Sequence, residues 1–181
     1  LNREFNQEDL LRHLKKSPPD KSEGHDGISN RMLQSGGENF EQTLIHLLNL
    51  VWDTELYPES WCKALMRPIY KGGGKQRKDP ASYRGIYLTC TTTKLFEGII
   101  SERLEEYISK HDTLTKFQFA KQGSQTHDAI HTLTSVIRNN QEHNKSSTYC
   151  AYIDFPTAYP SVHRERLTNI LHEVGITGKI W

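Results

Sequence analysis

Two runs rich in β-forming residues, ALMRPIY at 64–70 and SYRGIYL at 82–88, bracket the segment KGGGKQRKDP. Strand formers on both sides of a glycine-rich connection predict a hairpin-like unit, and this constrains the chain more than any other feature. Pro68 places its run at a sheet edge or a bulge, because proline cannot donate to a ladder. Gly72, Gly73 and Gly74 let the loop backbone come close to a ligand. From Lys63 to Lys78 the bases are Lys63, Arg67, Lys71, Lys75, Arg77 and Lys78, with no acid among them, and Arg84 follows in the second run. Such a loop can meet phosphates through side chains and backbone amides. A solvated loop without a ligand has the same composition, and for an isolated basic loop that is the commoner case. The segment is not a Walker motif, since it lacks the GK[ST] ending.

Helical patterns surround this unit. Asn6 followed by Asp9 predicts an N-cap with an acid in the first turn, and Leu10, Leu11 and Leu14 then share one face. SPPDKSEGHDG at 17–27 ends that helix in a loop. Phe40, Leu44, Leu47, Leu48, Val51 and Trp52 recur at steps of three and four, which predicts a helix over about 38–55. Thr91, Thr92 and Thr93 offer cap hydroxyls for a helix carrying Leu95, Phe96, Ile99, Ile100, Leu104 and Ile108. Another helix is expected over about 126–140 with Ala129, Ile130, Leu133, Val136 and Ile137 inward. NNQEHNKSS at 139–147 reads as a polar turn and TYCAYIDF at 148–155 as a strand. A last helix from about His163 carries Leu167, Ile170, Leu171 and Val174, with Gly175 where a C-cap glycine belongs. The fold class is α+β and helix-rich.

Length and composition bound the rest. The 181 residues suffice for one domain or one and a half. With 23 basic against 22 acidic residues, net charge says little about partners. No apolar run approaches the roughly 20 residues of a membrane span, so no membrane partner is expected. No secretory signal opens the chain, and a first residue Leu1 rather than Met is expected of an N-terminus cut from something longer. Cys62, Cys90 and Cys150 are odd in number and lack CxxC spacing. That argues against a disulfide framework or a zinc site and fits a reducing, intracellular compartment, nucleus or cytoplasm.

The segment STYCAYIDFPTAYPSV raises a chemical question. A carboxylate at the C-terminal end of an apolar run, as Asp154 is, is poorly solvated and costly unless a cation or donors pair with it. Magnesium is the usual hard partner for such an oxygen. An Asp capping the turn that follows, aided by Pro156, accounts for the residue equally well. Tyr159, five residues on, could wall a metal site or be a core aromatic, the commoner fate of a Tyr.

These pieces resemble, in order, the reverse transcriptases of LINE-type (non-LTR) retrotransposons. YIDFPTAYPSV resembles the first catalytic motif of reverse transcriptases, in which an aspartate ends a palm strand and an aromatic follows at this spacing. WCKALMRPIYKGGGKQRKDPASYRGIYLTCTTTKLFEGIISERL resembles the fingers of the LINE-type enzymes: a Trp, a basic strand, a Lys-Gly loop, Tyr-Arg-Pro-Ile-Ser-Leu, then a helix ending in Arg-Leu. GHDGI is similar to that family's Gly-x-Asp-Gly-Ile, and QFAKQGSQTHDAI to its Gln-x-Gly-Phe-Arg-x-Gly-x-Ser-Thr-x-Asp-Ala-Ile.

The resemblance implies a partial right-hand polymerase with an incomplete sheet: fingers over about 1–123 and the start of the palm over 124–181. It implies RNA-directed DNA synthesis with Mg2+, an RNA template, a DNA primer and deoxynucleoside triphosphates. Asp154 would bind the catalytic magnesium and Phe155 would offer its carbonyl. Tyr159 would be the steric gate against a ribose 2′-OH. Arg84 and Lys71 would touch the triphosphate, and Gln118 and Gly123 would lie against template and nucleotide. Arg67, Lys75, Arg77 and Lys78 would meet nucleic acid. Departures accompany the likeness: Gly85 stands for the family's Pro, Ala120-Lys121 for its Gly-Phe-Arg, and Pro160 for the Asp that usually follows the gate. The Ala-Asp-Asp motif and thumb are expected beyond Trp181, so the 181 residues alone are expected to be inactive, with Asp154 a partly buried and weakly paired charge. Two other readings remain: a non-catalytic nucleic-acid-binding module using the basic loop, and a decayed copy without function.

Overall fold

The computed structural model describes residues 1–120, 123–155 and 158–181. They form two compact units: 1–104 together with 178–180, and 105–177 together with 181.

The first unit is built on helices and the hairpin. Helix α1 (Gln7–Lys16) starts where Asn6 accepts a hydrogen bond from the Asp9 amide at 2.9 Å. That bond satisfies one of the orphan donors of the first turn. Its buried face carries Leu10 and Leu14, while Leu11 is half-buried. A short helix α2 (Asn30–Gln34), capped by Ser29, lies between the 17–27 loop and the helix expected from about 38, where the sequence pattern predicts no element. Helix α3 (Gly37–Thr54) stops at Glu55, whose φ of 57° is left-handed. Helix α4 (Thr91–His111) runs from the first unit into the second. Phe5, Leu10, Leu48, Trp52, Phe96 and Ile99 form the centre of the core. Burying each such side chain contributes about 1.5–3 kcal/mol. Phe5 packs edge-on to both Trp52 and Phe96, each with a ring separation of 5.3 Å.

The GHDGI segment is a turn in which Gly24, Asp26 and Gly27 each have a structural reason. A Cβ on Gly24 would lie 2.7 Å from the Cys90 Cα, so only glycine lets the two backbones meet. Gly27 has φ of +67°, and the Asp26 carboxylate accepts from the Ile28 amide at 3.2 Å.

Thr91, Thr92 and Thr93 are not caps. They lie inside the first turn of α4 and are buried, and the Thr91 hydroxyl donates to the Ile28 carbonyl at 2.6 Å. The Thr91 hydroxyl thus joins the start of α4 to the GHDGI turn.

The second unit contains α5 (Thr126–Glu142) and α6 (Arg164–Glu173). At the start of α5 the Gln125 amide donates to the Asp128 carboxylate at 2.7 Å, and the Asp128 amide donates to the Gln125 carbonyl at 3.0 Å. His163 caps α6 through Nδ1. Gly175 closes α6 with φ of +91°, its amide donating to His172 O and the Ile176 amide to Leu171 O. This is the left-handed helix ending expected of glycine. The face of α5 expected to be inward is only partly covered. Ala129, Leu133 and Ile137 are half-buried, but Ile130 and Val136 are more than half exposed.

Residues 148–155 form no strand. Among the described residues the only ladder joins β1 (Ala64–Tyr70) to β2 (Tyr83–Thr89). A run of β-formers becomes a strand only with a partner to receive its amides, and here Tyr149, Tyr152 and Ile153 are each over 80% exposed.

Candidate nucleic-acid interface

The hairpin pairs Ala64 with Thr89 through Tyr70 with Tyr83 in unbroken antiparallel register. The Lys71 amide donates to Ser82 O at 2.9 Å, which fixes the phase of the ladder. Hydrogen-bonded positions then fall at Ile69/Arg84 and Arg67/Ile86, and Pro68 opposite Gly85 occupies a non-hydrogen-bonded one. The nitrogen of Pro68 thus faces the open edge, where no donor is needed. No bulge forms.

Alternation gives the ribbon two faces. Arg67 and Arg84 lie diagonally on one, beside Ile69 and Ile86. Met66, Pro68, Tyr70, Tyr83, Gly85 and Tyr87 lie on the other. Both arginines are exposed.

The basic loop is pinned rather than loose. Tyr70 and Tyr83 face each other at the end of the ribbon with rings 5.6 Å apart. The Tyr70 hydroxyl donates to the Lys75 carbonyl, and the Tyr83 hydroxyl to the Arg77 carbonyl at 2.9 Å. Lys71 donates to Ala81 O at 2.8 Å across the loop's base. Asp79, the one acid nearby, accepts from the Ala81 amide and caps a short turn. Gly72, Gly73 and Gly74 all have φ between +68° and +74°, which explains a triplet of glycines. Lys75, Arg77 and Lys78 are exposed and form no ion pair among the described residues; Arg77 lies 5.3 Å from the centre of the Tyr70 ring. The structure therefore gathers Arg67, Lys71, Lys75, Arg77, Lys78 and Arg84 on one hairpin, none of them in an ion pair among the described residues.

The remaining site residues lie in the second unit. Gln118 is exposed and its side chain accepts from the Ala120 amide at 2.9 Å. Gly123 has φ of +83°. Tyr159 is 94% exposed and Phe155 70%. Asp154 is exposed, not the partly buried charge expected from its apolar neighbours. Those neighbours bury nothing around it, because they are themselves open to solvent. Pro156, expected to aid a turn cap, and Lys121 lie outside the described residues. Asp154 and the Phe155 carbonyl offer oxygens, the ligand atoms magnesium takes from one or two carboxylates beside waters and substrate phosphates. Among the described residues no three His, Cys, Asp or Glu side chains gather to hold a metal. Asp154 and the Phe155 carbonyl thus fit magnesium by donor type, without a gathered set of acids among the described residues.

Comparison with known proteins bears on the chain as a whole. No family model matches the chain. It is 29% identical over 161 residues to the "Probable RNA-directed DNA polymerase from transposon BS" of Drosophila melanogaster, covering 88% of this chain and 18% of that protein. It is 26% identical over 145 residues to the "Probable RNA-directed DNA polymerase from transposon X-element" of the same fly, covering 78% and 16%. It is 30% identical over 110 residues to the "Retrovirus-related Pol polyprotein from type-1 retrotransposable element R1" of Bradysia coprophila, covering 60% and 11%. The chain's homologues are non-LTR retrotransposon reverse transcriptases and Pol proteins. It spans less than a fifth of the length of these retrotransposon proteins. Among the described residues no helix is long and apolar enough to cross a membrane.

The sequence reading missed Arg103, the arginine of the family's Arg-Leu helix ending. It is 5% exposed and donates to Asp9, Arg3 O and Glu4 O. Its signal was a charged residue within the apolar pattern of α4.

Proposed function

We propose that this chain is part of an RNA-directed DNA polymerase of a LINE-like element. It supplies the fingers over about 1–123 and the opening of the palm over 124–181. The observation that carries the reading is the similarity, over most of this chain, to proteins named as RNA-directed DNA polymerases. The hairpin supports it, because phosphoryl transfer needs cations positioned on phosphate oxygens.

In this reading Arg84 and Lys71 meet the triphosphate of a deoxynucleotide. Arg67, Lys75, Arg77 and Lys78 meet the backbones of RNA template and DNA primer, for which they have exposed and unpaired charges. Gln118 and Gly123 lie against template and nucleotide. Tyr159 excludes a ribose 2′-OH. Asp154 and the Phe155 carbonyl each provide one oxygen toward magnesium, the rest coming from outside these residues. The exposed Tyr149, Tyr152 and Ile153 are the surface that further palm strands would cover.

The test is primer extension on an RNA template by the polypeptide read in frame past Trp181 to an Ala-Asp-Asp segment. Template-dependent DNA synthesis that Asp154→Asn abolishes is expected. If that polypeptide binds nucleic acid but never extends a primer, the chain is a binding module that uses the basic loop, and the polymerase reading fails.

A further inference from the structure

Beyond Tyr70 and Tyr83, which hold the basic loop, the face of the hairpin opposite Arg67 and Arg84 has no role in the assignment above, yet it borders two grooves that share one wall. The first groove, of about 390 Å3, is lined by Met66, Pro68, Pro80, Tyr83, Gly85 and Tyr87. It carries no charge, and the missing side chain of Gly85 keeps it open. The second, of about 400 Å3, has an apolar floor that includes Leu33, Leu88 and Leu95, and a rim bearing Lys21, Asn30 and Lys94. No acid lines it. Lys21 and Lys94 are exposed and form no ion pair among the described residues. Tyr87, 68% exposed, stands between the two and lines both.

We propose that this Tyr87 ridge binds a single-stranded nucleic acid, with a base in the uncharged groove against Tyr87 and Met66 and the backbone passing over Lys21 and Lys94. A neutral aromatic slot beside unpaired cations is the combination such strands require. Bases stack on an aromatic ring whatever their sequence, and phosphates follow the positive charge. An apolar peptide would use the first groove and find nothing to match in the lysines. The choice of nucleic acid rests on the polymerase reading, but the residues differ from those that reading uses.

The experiment is fluorescence anisotropy of a short labelled oligouridylate with the 181-residue chain over a series of salt concentrations. Tyr87 is exposed, so its replacement leaves the core intact. Tyr87→Ala should weaken binding about tenfold, within the range of one lost base stack, and Tyr87→Trp should retain it. Replacing Lys21 and Lys94 together with Gln should lower the slope of log K against log salt by about 1.4, two single-strand phosphate contacts. Parent-like binding by Tyr87→Ala overturns the proposal, as does failure of the parent to bind. If a variant lacking the loop cations loses binding while Tyr87→Ala does not, the ridge is refuted and the polymerase reading stands. Tyr87-dependent binding that ignores salt and both lysines refutes nucleic acid as the natural occupant and points to a peptide.

Discussion

Arg103 donates to Asp9 at 3.1 Å inside the first unit, across 94 positions of sequence. The same guanidinium donates to the carbonyls of Arg3 at 2.6 Å and Glu4 at 3.0 Å, and lies 4.6 Å from the centre of the Phe5 ring. Arg3 adds two further bonds to the Asp9 carboxylate, at 2.6 and 2.8 Å, and Arg12 one more. One buried pair thus ties the N-terminal segment and α1 to α4, the helix that follows the hairpin.

Removing Asp9 leaves the buried Arg103 charge with only neutral partners, the Arg3 and Glu4 carbonyls and the Phe5 ring. Asp9→Ala should therefore cost about 3–5 kcal/mol, far more than a surface change. Urea unfolding at neutral pH measures it. A loss within the range of an exposed pair, below about 1 kcal/mol, would mean that water replaces the carboxylate.

The same network sets an acid limit. Burial alone would raise the Asp9 pKa, but hydrogen bonds and charge from Arg3 and Arg103 outweigh it and hold the carboxyl below its ordinary range. Lys16, and after it His13 and Arg12, hold Glu102 low as well, against its partial burial. A depressed folded pKa means that the unfolded chain takes up protons first as pH falls. The stability these acids contribute is present above about pH 4, near the unfolded values, and is lost as pH drops through the folded ones. Unfolding free energy should fall below about pH 4, and Asp9→Asn should shallow that fall. An identical acid limb in the variant would place the effect elsewhere.

Asp154 gives the opposite expectation from the one its sequence context suggests. A charge at the end of a buried strand would be relieved by Asn, with a gain of roughly 1 kcal/mol. In the structure Asp154 is exposed, so Asp154→Asn should change stability by no more than about 0.5 kcal/mol at neutral pH. A larger stabilisation, read by urea unfolding, would show that the acid is buried in solution.

What the sequence discloses here is what neighbours in sequence decide. The cap of Asn6, the hairpin at 64–89 and the left-handed turn at Gly175 each depend on residues a few positions apart, and all three stand in the structure. The strand at 148–155 depends on a partner that local composition does not supply. The bond between Arg103 and Asp9 joins distant positions, so neither residue betrays it alone. In the site, the cations of the loop were legible as a group. That Tyr70 and Tyr83 hold the loop's carbonyls was not, because it follows from the register that sets them opposite each other.

Two glycines should respond in opposite directions. A Cβ at Gly85 would meet Met66 at 3.5 Å, ordinary contact, so Gly85→Ala should stabilise by about 0.4–1 kcal/mol through the unfolded state. A Cβ at Gly24 would meet the backbone of Thr89 and Cys90 at 2.7–2.8 Å, and Gly24→Ala should destabilise by about 1–3 kcal/mol. Thermal unfolding of the two variants separates them, and equal shifts would refute the close approach at Gly24.

The loop prediction combines charge and anchoring. Lys71, Lys75, Arg77 and Lys78 share one loop and form no ion pair among the described residues. Replacing all four with Ala should weaken binding to an RNA–DNA hybrid and flatten its salt dependence, each lost phosphate contact removing about 0.7–0.9 from the slope. Tyr70→Phe with Tyr83→Phe keeps every cation but removes the two hydroxyls that hold the loop. If pinning organises the cations, this pair should weaken binding while leaving the slope nearly unchanged, since the ions released are the same and only the order of the loop is lost. Each hydroxyl carries about 0.5–1.5 kcal/mol, so the double variant should lose roughly five- to a hundredfold in affinity if that order is all restored on binding. Filter binding over a salt series reads both quantities. A quadruple variant with the parent's affinity and slope would reduce the loop to solvated surface. A Tyr variant with the parent's affinity would show that the cations find their phosphates without being held.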